Sequence, residues 1–191
     1  MTPPTRIGGR NSGLAPVRRI LTFSINLLDN GAVLTRKSKY GLKALLLLAR
    51  EHDRGPLAAS QIAAREGIPE KFLQGILLDL GRRGIVRSKR GLGGGYRLAR
   101  DPEAVNFGEV IRLLEGPLAL TPCVSQTAYQ RCDECADERR CGIRLVMKDV
   151  RDETARILEG ASLADVNRSV DALAAAGRGA RRGRRPRAAR R

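Results

Sequence analysis

Apolar residues first recur with a helical period after residue 33, where Tyr40, Leu42 and Ala44 to Leu48 read as a buried helix. The helix begins at Leu34 with Thr35 as its N-cap and ends near Asp53, where Gly55 and Pro56 stop it. A short helix follows from about Ser60 to Arg65, with Ser60 as N-cap and Ile62 and Ala63 inward. Gly67, Ile68 and Pro69 form a turn. Beyond it Phe72, Leu73, Ile76, Leu77 and Leu80 make one apolar stripe on a helix spanning Pro69 to Arg83, with Pro69 in its first turn.

Ile85 to Ser88 and Tyr96 to Leu98 then read as two short strands, joined by Lys89, Arg90 and four glycines among Gly91 to Gly95. Phe107 to Leu114 predicts a helix with Val110, Ile111 and Leu114 inward, ended by Gly116 and Pro117. From Ile143 to about Glu159 the apolar positions Ile143, Val146, Met147, Val150, Ile157 and Leu158 place one apolar side on a long helix. Such a stripe wants a partner, and a second copy of the chain is the expected one.

The predicted architecture is mainly α: a winged helix-turn-helix with a long C-terminal dimerisation helix and disordered termini. Residues 1–32 read as a disordered or mis-assigned N-terminal extension, 33–117 as the DNA-binding domain and 118–142 as a cysteine-rich sensor loop. Residues 143–166 form the dimerisation helix and its end, and 167–191 an Arg-rich disordered tail. Aromatic residues are 3% of the chain with no Trp, so the core must come from Leu, Ile, Val and Ala. Tyr40, Phe72 and Tyr96 are expected as core and backbone anchors, and His52 as a helix-end cap.

The net charge of +16 matters through its distribution. Leu34 to Ala99 carry +9 and Arg178 to Arg191 add +8, whereas Arg100 to Gly177 come to −4. The folded N-terminal half is therefore basic in its own right, as a nucleic-acid-binding surface requires. On the third helix Lys71 and Gln74 face outward to meet base edges or phosphate, and Arg90 at the wing tip suits a minor groove. Ser60 and Arg97 complete the DNA-binding set. No segment approaches the roughly 18 consecutive apolar residues of a membrane helix, and no signal peptide is evident, so the chain reads as cytoplasmic.

In a reducing compartment four cysteines crowded between Cys123 and Cys141 point to a metal or redox site. Cys123, Cys132, Cys135 and Cys141 are spaced C-x8-C-x2-C-x5-C among polar residues, which suits zinc or an iron-sulfur site without choosing between them. Cys132 and Cys135 also match the C-x-x-C of thiol-disulfide enzymes. Nothing in the chain supplies the βαβ context that such enzymes place it in, so no catalytic residue is assigned.

Three stretches carry a resemblance: Leu34-Thr35-Arg36-Lys37-Ser38-Lys39-Tyr40-Gly41, Ile68-Pro69-Glu70-Lys71-Phe72-Leu73, and Arg90-Gly91-Leu92-Gly93-Gly94-Gly95-Tyr96-Arg97-Leu98. With Glu115-Gly116 and the spaced cysteines, the chain from about Leu34 to Val166 resembles the Rrf2 family of bacterial repressors. The resemblance implies homodimers on palindromic double-stranded DNA operators, with Lys71, Gln74 and Arg90 at the contact positions. It also implies a 2Fe-2S cluster sensing iron-sulfur, redox or nitric oxide state. The family's three-cysteine pattern falls on Cys123, Cys135 and Cys141. Where its branches place a fourth ligand this chain has Arg144 and Lys39, so Cys132 or an acid among Asp133, Glu134 and Asp137 takes that place. The family's usual start falls at Val33. A cluster-free regulator, controlled by thiol oxidation, zinc or a partner protein, is the alternative.

Overall fold

The computed structural model describes residues 34–91 and 93–183. The expectations for residues 1–32, the start at Val33 and the Arg-rich end from residue 184 lie outside the described residues. Helix α1 (Arg36–Arg50) starts as predicted, with Thr35 Oγ1 accepting the Ser38 N–H at 3.4 Å. Glu115 Oε1 accepts the Thr35 N–H at 2.7 Å, which ties the start of α1 to the end of α4 (Phe107–Leu114). Leu42, Ala44, Leu45 and Leu48 are buried along α1. A 3-10 turn, His52–Arg54, follows it. His52 is not the cap expected of it: the Glu51 N–H closes α1 on Leu47 O at 3.1 Å, and His52 Nδ1 has no partner.

Helix α2 (Ala59–Glu66) begins one residue earlier than expected, which corrects the role given to Ser60. Ala58 occupies the cap position, and Gln61 Oε1 accepts its N–H at 2.9 Å. Gly67, at φ +65°, makes the left-handed turn, and the Ile68 N–H returns to Ala63 O. Pro69 then stands as the N-cap of α3 (Glu70–Arg82). Leu73, Ile76, Leu77 and Leu80 are buried, whereas Phe72 is 46% exposed. Phe72 is thus no core anchor: it packs edge-on against Tyr40, ring centroids 5.9 Å apart, at the margin of the stripe.

Strands β1 (Val86–Lys89) and β2 (Gly95–Leu98) pair antiparallel, with Val86 opposite Leu98 and Arg87 opposite Arg97. The hairpin is fastened by a reciprocal pair of backbone bonds between Leu57 and Tyr96, at 2.9 and 2.7 Å. That contact explains one wing glycine: at Gly95 (φ +152°) a Cβ would lie 2.4 Å from the Leu57 carbonyl carbon and oxygen. Gly94 is equally confined, its Cβ position being 2.3 Å from Lys89 O.

Beyond the wing, α4 occupies the predicted residues and buries Val110 and Ile111. Helix α5 (Gly142–Glu159) also matches its expected span. The tail boundary at residue 167 is corrected, because a sixth helix, α6, runs Leu163–Gly183. Leu163 is fully buried, its N–H donating to Val105 O, and buried Asn167 donates Nδ2 to Leu46 O at 3.0 Å. Arg50 reaches Asp171 at 3.3 Å. Alanine-rich sequence keeps the helix going past these anchors. Among the described residues no helix is long and apolar enough to cross a membrane.

Replacing Gly95 by alanine drives a methyl into backbone and forces an unfavourable φ, so we expect a loss of about 2 kcal/mol or more. Urea unfolding checks this. An unchanged midpoint would show that the Leu57–Tyr96 contact does not hold the wing.

Candidate nucleic-acid interface and thiol site

On α3 the residues opposite the buried stripe are Lys71, Gln74, Gly75 and Leu78, all exposed. Gln74 donates Nε2 to Glu70 Oε1 at 3.1 Å, which orients the amide. Its oxygen and second amide hydrogen stay available, the pair an adenine edge needs in the major groove. Ser60, at the second position of α2, is exposed. Arg90 is exposed at the wing tip.

Arg97 faces solvent on β2 directly opposite Arg87 on β1. Like charges in register weaken a hairpin, and no carboxylate is paired with either among the described residues. Such a pair suits an anionic partner. Sequence reading passed over Arg87, although the alternation set by inward Val86 already pointed it outward.

The structure brings all four cysteines to one cavity of about 410 Å³, which Gln130, Arg131, Glu138 and Arg144 also line. Cys123 belongs to the 3-10 turn Pro122–Val124, which packs against α5. Cys132 is exposed, and the Cys135 N–H bonds Cys132 O at 3.3 Å in a turn. Cys141 is the N-cap of α5, and its Sγ accepts the Arg144 N–H at 3.5 Å. That bond, the neighbouring Cys135 thiol, the Ile143 N–H and the Arg144 charge pull the Cys141 thiol below its ordinary range. Desolvation and the Cys141 neighbour push Cys135 upward.

The donor set therefore fits a thiolate-ligated metal or iron-sulfur group in its chemistry. Among the described residues no three His, Cys, Asp or Glu side chains are yet gathered closely enough to hold a metal ion. Holding such a group would require residues 118–142 to bring the thiols closer together. Arg144 Nε is buried beside this cavity without a hydrogen bond, and lies 3.7 Å from Glu138 Oε2 in an ion pair.

The sequence model of the family described as "Rrf2: Iron-dependent Transcriptional regulator" matches residues 34–169. The chain belongs to the Rrf2 family. It is a transcriptional regulator of the Rrf2 type, similar to an Rrf2-like HTH-type transcriptional regulator of Rhodobacter capsulatus. The two are 48% identical over 121 residues, covering 62% of this chain and 81% of the relative. The structure is similar to that of CymR, the global cysteine regulator of B. subtilis, at TM-score 0.60 and 28% identity over 72% of this chain and 98% of the other. It is also similar to IscR of T. potens, at TM-score 0.58 and 28% identity over 73% and 89%. The Rrf2 match runs through the thiol site into the first turns of α6, so helix-turn-helix, wing and cysteines lie within one family unit.

The opposite shifts of Cys135 and Cys141 set an order of reaction. A thiol whose pKa is lowered reaches its reactive thiolate at lower pH, so iodoacetamide should modify Cys141 before Cys135 in metal-free protein as pH rises. Peptide mapping of alkylated protein checks this, and the reverse order would mean that the α5 N-terminus does not stabilise the thiolate.

Proposed function

We propose that this Rrf2 protein binds operator DNA as a homodimer and represses transcription, with its affinity set by a 2Fe-2S cluster held by Cys123, Cys135, Cys141 and Cys132. The observation that carries the reading is the convergence of all four thiols on one cavity at the start of α5. The family's description as iron-dependent supports it.

DNA contact falls to α3 and the wing. Lys71 carries an exposed charge for phosphate, and Gln74, held by Glu70, reads a base edge. Arg90 enters a minor groove, while Ser60, Arg97 and Arg87 hold the backbone. Ile143, Val146, Val150 and Ile157 leave an apolar line exposed on α5, interrupted at Thr154, and a second copy covers it.

A cluster bound at the thiols would supply one-electron redox chemistry and sensitivity to oxidants and nitric oxide. This chain's own residues would convert its state into shape. Cys123 stands on a turn packed against α5 and Cys141 begins that helix, so joining the two fixes the loop against the dimer helix. Freeing them shifts the population toward a looser loop.

A second reading rests on the placement of the Cys135 and Cys141 thiols in the same cavity, where each shifts the other's ionisation. Two-electron oxidation of this pair by a peroxide-class oxidant, with loss of two protons, would join them in a disulfide and act on the same helix start.

Two measurements test these assignments. Anaerobically purified protein should carry iron and acid-labile sulfide in equal amounts, lost with Cys123→Ala, Cys135→Ala or Cys141→Ala and diminished with Cys132→Ala. Colourless, iron-free protein that still binds DNA would transfer the switch to the thiol pair. Lys71→Ala should weaken binding to all duplexes alike and reduce the slope of log affinity against log salt by about 0.9. Gln74→Ala should instead remove about 1–3 kcal/mol of discrimination at one base pair, read by competition between duplexes.

A further inference from the structure

Gly75 sits in the middle of α3 without a structural reason to be glycine. It does not have a positive φ, and a Cβ built on it would meet nothing within 4 Å. Gly41 in α1 is the contrast: its Cβ would lie 2.5 Å from Leu114 Cδ1, so packing explains it. A mid-helix glycine weakens a helix relative to alanine. Gly75 therefore weakens α3 and contributes nothing inside the fold.

Three residues further along the same face Leu78 is 54% exposed. Lys71, Gly75, Leu78 and Arg82 follow one another at alternate spacings of four and three, a straight stripe opposite buried Leu73, Ile76, Leu77 and Leu80. The stripe has a cation at each end and no polar side chain between. Eleven residues of helix rise roughly 16 Å, against a major groove about 12 Å wide, so the two cations can address both phosphate walls while the apolar centre meets the bases.

We infer that Gly75 and Leu78 form a thymine-reading step within this interface: the missing side chain at 75 lets the base edges approach the helix backbone, and Leu78 covers a thymine C5 methyl. The inference rests on the DNA-binding reading above and adds the base chemistry that the interface selects. Among the base edges of the major groove only thymine offers a methyl, the group that an exposed leucine can recognise.

The test selects duplexes from a random library with the full-length chain, then replaces each thymine of the selected sequence by uracil, which keeps O4 and removes only the methyl. At one thymine position wild type should lose about four-fold in affinity, the worth of one buried methyl. Leu78→Ala should bind the thymine and uracil duplexes equally. Gly75→Ala should raise Tm yet weaken binding on the order of ten-fold, because the added methyl overfills the contact. Neither substitution should change the salt slope, in contrast to Lys71→Ala.

Indifference of wild type to every uracil, or unchanged discrimination by Leu78→Ala, overturns the inference and leaves DNA binding intact. A smaller solution mass for Leu78→Ala also overturns it, since a second copy would then cover this face. A library that yields no enriched duplex overturns the sequence-specific reading and this inference together.

Discussion

The buried face of α1 is the constraint on which the rest of the described chain depends. Leu42, Ala44, Leu45 and Leu48 pack in one core with α2, α3, the wing and α4, and α6 runs against the same helix. Such a helix cannot be amphipathic in the usual narrow sense, because neighbours approach it from several sides. Its small residues mark the closest approaches: Ala44 is fully buried and Gly41 meets Leu114. The reading helix, the wing and the support for the thiol site all take their places from this packing.

That dependence explains what was legible in sequence. The helix-turn-helix and hairpin emerge almost to the residue because periodicity, Gly67 and the wing glycines are local signals. Helix α6 was illegible, since its fixing points are Leu163 and Asn167, followed by alanine and arginine that resemble an unstructured tail. Asn167 is informative only once its partner, the Leu46 carbonyl 121 positions away, is known. Phe72 misled for the opposite reason: it has the right spacing for the stripe but lies at its edge, where Tyr40 covers one side.

The two halves of the candidate site differ in the same way. Outward direction on α3 follows from which residues are buried, so Lys71 and Gln74 were readable, and Arg87 would have been had strand alternation been pressed. Ligation is a tertiary property. Spacing assembles the four cysteines into one short segment, but which sulfurs share a centre depends on how 118–142 closes over the start of α5. Arg144, standing where a ligand was sought, cannot ligate; its cationic donor beside Cys141 stabilises negative charge held by the thiols.

In the proposed switch Cys141 joins the sensing chemistry to the helix without any longer pathway. Its sulfur closes the first turn of α5 by accepting the Arg144 N–H, and that bond helps hold the same thiol below its ordinary range. Whatever bond that atom forms, to a metal or to Cys135, competes with or reinforces the cap, since both draw on its lone pairs. The order of the first turn is therefore coupled to thiol state at a single atom. Ile143 and Val146, which begin the exposed apolar line of α5, lie within two turns of it. A change at the sulfur thus reaches the apolar line before any rearrangement of the DNA-binding core is required.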